Sequence, residues 1–232
     1  TIKPMLQPFA EEIQIRKLQP KKELTIEMLK PYVYEYKQCD DDFAQTDIKV
    51  DSQTGYGVLV SSNSSYFSKE ISAELVLANW LNTHSLWDKL RTTGGAYGAS
   101  VTIDGISCLS VMGTYRDPSP EKSLQVYLDT LNELQNAEFT YDDIERTIVT
   151  IYGDRICPDS PKATALDSFE RMIYANNNEL MQKKLEQLLA VTPEDVKNAA
   201  KRLYENTLKM CKKVVFCQKK SKTSGKTLKL PL

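Results

Sequence analysis

The chain has 232 residues, a formal net charge of -1, 41% hydrophobic residues and 26% charged residues. That balance describes a globular protein, and its near-neutrality excludes a global attraction to nucleic acid or to an anionic membrane surface. No apolar run reaches the roughly 20 residues that a membrane-spanning helix needs.

No secretory signal pattern opens the chain, and it begins at Thr1, which reads as a fragment or a processed product. Pro4, Pro8, Pro20 and Pro31 break up the first part. Ile13-Gln14-Ile15 alternates like a short strand, and Thr25 to Lys37 reads as a helix interrupted at Pro31. The acidic run at Asp40, Asp41 and Asp42 reads as a solvated loop. Residues 1–45 are therefore expected to connect to something upstream.

From residue 46 the signals sharpen. Tyr56 to Val60 reads as a strand. Ser68 is placed to cap a helix from Lys69 to about Leu81, apolar at Ile71, Leu75, Val76, Leu77, Ala78 and Trp80. Two further strands, Tyr97 to Ile103 and Ile106 to Tyr115, flank Asp104-Gly105, a two-residue hairpin signal. Ser119 with Pro120 starts one helix and Thr140 starts another. More helices are expected at about Lys162–Tyr174, Asn178–Leu189 and Pro193–Glu205. Lys212 to Cys217 is a last strand, whose lysines read as guards near a sheet edge. Residues 219–232 form a basic tail. Its Ser224-Gly225-Lys226-Thr227 lacks the upstream glycine of a phosphate loop.

Strand, helix, hairpin, a run of helices and a strand predict an α+β domain over residues 46–218. It has a mostly antiparallel sheet with a layer of helices on one face.

Five scattered cysteines, Cys39, Cys108, Cys157, Cys211 and Cys217, form no Cys-x-x-Cys pair and read as buried free thiols in a reducing compartment. The single histidine, His84, cannot supply a multi-histidine zinc site, and it reads as a capping or surface residue. No metal ligands are therefore assigned in this chain.

The stretch Leu86-Trp87-Asp88-Lys89-Leu90-Arg91-Thr92-Thr93-Gly94-Gly95-Ala96-Tyr97-Gly98 organises the rest. It reads as a helix end, a glycine turn and a strand start. Gly94 and Gly95 permit a tight reversal and a close backbone approach. Arg91 and Tyr97 lie on either side of the turn. With the turn's backbone amides they make a donor-rich wall for a carbonyl or carboxylate. The same residues also fit a plain C-cap with a surface arginine and a core tyrosine.

This stretch, together with Tyr115-Arg116-Asp117-Pro118 and the element order from about Val50 to Ile156, resembles the C-terminal half of insulinase/pitrilysin-type zinc metallopeptidases, in the presequence protease and falcilysin branch. The resemblance implies an enclosed chamber between two halves. It places the zinc, bound by an inverted His-x-x-Glu-His motif, in an N-terminal catalytic half of the same protein. It gives Arg91 and Tyr97 contacts to the substrate peptide and its oxyanion, with Gly94, Gly95 and Ala96 alongside. This chain alone would then be inactive, and its setting a cytoplasm or an organelle lumen. Arg116 and Asp117 are expected to form a structural turn with a local ion pair. A non-catalytic structural or processing-complex subunit of the same fold is the alternative, and a free-standing anion-binding module is a third.

Overall fold

The computed structural model describes residues 45–49, 52–157, 160–174, 176–217 and 226–229. The strand and helix expected before residue 40, the acidic run and Cys39 lie outside the described residues.

Among the described residues the elements are β1 (Gln45–Lys49), β2 (Gly55–Ser62), α1 (Ile71–Trp80), β3 (Gly98–Asp104), β4 (Leu109–Asp117), α2 (Pro120–Leu134), α3 (Tyr141–Ile156), α4 (Pro161–Ile173), α5 (Asn178–Leu189), α6 (Pro193–Lys209), β5 (Cys211–Cys217) and β6 (Lys226–Lys229). The strands form one sheet in the order β3-β4-β2-β5-β1-β6. The pairs β3/β4, β4/β2 and β2/β5 are antiparallel, while β1 runs parallel to both β5 and β6. The sheet is thus mostly antiparallel, as expected.

Alternation decides which face is covered. Leu59, Val101, Met112 and Val215 point from the strands into the core, where they join Leu77, Leu124, Leu131 and Leu203 of the helices. α1, α2 and α6 lie on the sheet, and α3 and α5 pack behind α1. Period-2 alternation therefore turns Tyr56, Tyr115 and Phe216 toward the other face.

Several local expectations change. The first helix begins at Ile71, not Lys69, and Ser68 does not cap it. The Ser68 hydroxyl instead closes locally on Glu70: it donates to the Glu70 carboxylate and accepts the Glu70 N–H at 3.3 Å. Ser119 occupies the cap position of α2, but its side chain makes no cap bond. Thr140 and Thr192 form full capping boxes with Asp143 and Asp195. The hairpin turn is not the two-residue Asp104-Gly105 turn. Asp104 pairs with Leu109, so a four-residue loop, 105–108, joins the strands, and the positive φ of 56° falls on Cys108.

β5 is an interior strand between β2 and β1, so the reading of its lysines as edge guards is corrected. The stretch read as a basic tail contributes β6, which pairs with β1. Three of the five thiols are described, and these are free but not buried: Cys108 and Cys211 are half-buried and Cys157 is exposed. His84 is exposed and stacks on Trp80 with ring centroids 5.2 Å apart.

Candidate functional site

The expected helix end is a longer element. Helical backbone continues from α1 through π-helical turns at Leu81–Ser85 and Trp87–Thr93. Such wider turns recur at functional sites because they shift the angular position of every side chain that follows. Lys89 anchors this run to α2, with Nζ 2.6 Å from Glu133 Oε2 and 3.1 Å from Thr130 Oγ1. Leu86 and Leu90 hold its inner face in the core.

The helix stops at the two glycines for two different reasons. Gly95 takes φ 77°, a left-handed conformation open to glycine without cost. Gly94 has φ -79°, but a Cβ there would lie 2.6 Å from the Leu90 carbonyl oxygen. The Gly95 N–H donates to Arg91 O at 3.2 Å and the Ala96 N–H to Leu90 O at 3.0 Å. The Tyr97 N–H donates to Tyr115 O at 3.1 Å. The turn's amides are therefore spent inside the protein, which corrects the expectation that they face a ligand. Ala96 is buried, and Gly94 and Gly95 are exposed. The donors presented outward are side chains.

Those side chains are brought together. The Arg91 guanidinium carbon lies 4.0 Å from the Trp87 ring centroid and 5.7 Å from that of Tyr97. Tyr97 is 62% exposed, so it is not a core residue. Its ring meets Tyr115 edge-on at 5.7 Å, Tyr115 meets Tyr56 at 5.5 Å, and Tyr56 meets Phe216 at 6.2 Å. Arg116 adds a second guanidinium, 5.8 Å from the Tyr97 centroid. The result is an exposed aromatic shelf with two cations and a phenol at one end. Such a surface offers apolar contact area and donors for an acceptor oxygen side by side.

Arg91 and Tyr97, the pair singled out in the sequence, come together here, and Trp87, Tyr56, Tyr115 and Phe216 join them without having been singled out. Trp87 stands four residues before Arg91, a helical spacing that signals a shared face. The other three become neighbours only through strand pairing. The expected ion pair between Arg116 and Asp117 does not form. Arg116 is exposed, while Asp117 is wholly buried and accepts a hydrogen bond from the Ser119 N–H at 2.8 Å.

A metal does not fit here. Among the described residues no group of three or more His, Cys, Asp and Glu side chains converges on one point. His84 Nδ1 is engaged with Thr83 Oγ1 at 2.9 Å and lies 3.2 Å from Trp80 O. Among the described residues no helix is long and apolar enough to cross a membrane.

The family profile described as the PreP C-terminal domain matches residues 49–220. The mitochondrial presequence protease of Saccharomyces cerevisiae is 28% identical over 177 residues, covering 76% of this chain and 18% of that protein. The mitochondrial presequence protease of Candida albicans is 27% identical over 150 residues, covering 65% of this chain and 14% of that protein. This chain therefore spans less than a fifth of the length of either relative. A protease structure from Helicobacter pylori superposes with a TM-score of 0.64 at 16% identity, covering 94% of this chain and 52% of that one. The π-helical run, the glycine stop and the sheet they lead into are thus elements of a known domain: this chain belongs to the PreP C-terminal domain family of insulinase-type peptidases.

Proposed function

We propose that this chain is the substrate-contacting domain of a zinc-dependent metalloendopeptidase that degrades peptides in an enclosed chamber. The observation that carries the reading is the exposed pairing of Arg91 with Tyr97 at the end of an aromatic shelf. As the family resemblance implies, the reading puts the zinc in an N-terminal half of the same protein and makes this chain inactive alone, in keeping with the lack of converging zinc ligands among the described residues. The mitochondrial names of the two relatives support an organelle lumen as the setting.

The residues here would act by binding and by charge. The shelf takes apolar side chains of the peptide. The Arg91 guanidinium and the Tyr97 hydroxyl donate to the carbonyl oxygen of the bond to be cut. Both gain strength as negative charge builds on that oxygen, so they favour the transition state over the ground state.

The test is steady-state kinetics of the full-length protein on a quenched fluorescent peptide, with melting temperatures measured beside it. Tyr97→Phe keeps the exposed ring and removes one donor, so turnover should fall by about 100-fold, since one such donor is worth roughly 3 kcal/mol. Arg91→Ala should lower turnover and also raise KM, because a guanidinium holds the substrate before reaction. Both variants should melt like the parent. Near-normal turnover in both would sink the role of this pair, whereas no turnover by the parent full-length protein would favour a non-catalytic subunit. Chelator-sensitive cleavage by the 232-residue chain alone would overturn the assignment of the metal to another part of the protein.

A further inference from the structure

Arg116 owes its place to a break in the rhythm of β4. The buried side chains along that strand are Ser110, Met112 and Thr114. Regular alternation would next bury residue 116 and expose residue 117. The reverse is found: Arg116 is exposed and Asp117 is fully buried. The cause is a bulge. β2 sets Gly57 opposite Thr114 and Gly55 opposite Asp117, so Tyr115 and Arg116 together face the single residue Tyr56. Arg116 takes φ 47°, which glycine adopts freely and an arginine does not.

The other side of β4 has no such break. β3 keeps Gly98 opposite Tyr115, and the same register carried one residue further sets Tyr97 opposite Arg116. The contacts agree. The Tyr97 N–H lies 3.4 Å from the Arg116 carbonyl oxygen as well as 3.1 Å from that of Tyr115. The Arg116 guanidinium carbon lies 5.8 Å from the Tyr97 ring centroid. The bulge thus brings both ends of one residue, carbonyl and guanidinium, to Tyr97. A turn needed only for its shape would be served better by glycine. The arginine keeps the backbone strain and supplies a cation to the ring.

We propose that Arg116 is a positioning residue: the bulge at Tyr115–Arg116 aims its guanidinium at Tyr97 and holds that ring with its hydroxyl directed at the substrate carbonyl. The proposal rests on the reading of Tyr97 as a substrate donor, and it adds that the donor is held in place from β4.

Arg116→Gly is the informative variant because glycine fits φ 47° and leaves the bulge intact. In the full-length protein it should melt at or above the parent temperature. Its kcat should fall by about 2- to 5-fold, the population factor that a cation–ring contact at an exposed site supports. KM should stay within about 2-fold, and Arg116→Lys should recover much of the loss. On the Tyr97→Phe background Arg116→Gly should cost almost nothing, because no hydroxyl remains to be aimed. In the 232-residue chain, NMR of carbon-labelled tyrosine should show faster flipping of the Tyr97 ring in Arg116→Gly. Parental kcat in Arg116→Gly alongside an impaired Tyr97→Phe would overturn the proposal, as would an unchanged Tyr97 signal. A raised KM with kcat intact would overturn it too, by making Arg116 a direct substrate contact. Parental turnover in Tyr97→Phe would instead bring down the proposed function, so the two failures are told apart.

Discussion

Tyr97 shows how far a single residue can be read. Its type, its spacing from Arg91 and the two glycines between them were all legible, and so was the resemblance they carry. Its exposure was not, because a tyrosine at a strand start fits the core as well as a cleft. Three-dimensional pairing with Tyr115 and Arg116 decides that question. The two glycines were legible as a stop signal but not in their separate reasons. Substitution separates them. Gly95→Ala should lose about 1–2 kcal/mol, since an alanine at φ 77° is strained while its new methyl meets only Pro118 Cγ at 3.5 Å. Gly94→Ala has no φ penalty, but its methyl would stand 2.6 Å from the Leu90 carbonyl oxygen. That carbonyl holds the Ala96 amide, so the helix end must open and the turn with it. Urea unfolding of both variants checks this. A Gly94→Ala protein as stable as the parent would mean that the helix end yields at no cost.

At the scale of an element, helix starts with a threonine cap were plain, because a capping box is written in four consecutive residues. The hairpin was misread because its turn is not decided locally. Asp104-Gly105 is a strong two-residue signal, yet the loop is held by the connection between β2 and α1. The Tyr66 N–H donates to Gly105 O at 2.7 Å and the Asn63 N–H to Cys108 O at 3.0 Å. Within the loop, the Ser107 hydroxyl and then the Ile106 amide hold the Asp104 carboxyl below the ordinary aspartate range. That support is present above the unfolded value near 3.9 and is lost as pH falls through the folded one. Gly105 itself has no positive φ. A Cβ there would come within 2.8 Å of the Tyr66 Cα and backbone nitrogen. Gly105→Val should therefore destabilise by about 1–3 kcal/mol through overpacking against backbone. Gly105→Ala should be hurt nearly as much, since the first carbon already collides. An alanine variant of parental stability beside a damaged valine one would point to bulk beyond Cβ as the cause.

For the whole molecule, the chain order of elements and the one-sided helical layer followed from periodicity. The order of strands did not. β5 lies in the interior between β2 and β1, and β4 carries a bulge, because of partners far away in sequence. One buried charge ties these distant pieces together. Glu74 on α1 has no exposed surface. Its carboxylate accepts the Ser64 N–H at 2.9 Å and the Ser64 hydroxyl at 2.7 Å, both from the loop after β2. It also accepts Arg202 Nε of α6 at 3.1 Å. One carboxylate thus joins the loop, the helix that leads to Arg91, and the helix that leads into β5. Arg202 keeps 33% of its side-chain surface, so water can replace its partner, while nothing replaces the partners of a buried carboxylate. The two variants should therefore be unequal. Glu74→Ala removes the acceptor of the half-buried Ser64 amide and hydroxyl and leaves the Arg202 guanidinium to water, and should lose about 1–2 kcal/mol. Arg202→Ala should lose more, about 3 kcal/mol, because it leaves a wholly buried carboxylate without its cation. Chemical denaturation of both, with the double variant to measure their coupling, gives the answer. If the two single losses were equal, or if Glu74→Ala lost under about 0.5 kcal/mol as an exposed pair would, the carboxylate would not be the tie between these helices. The helical run that carries Arg91 would then owe its position to the apolar core alone.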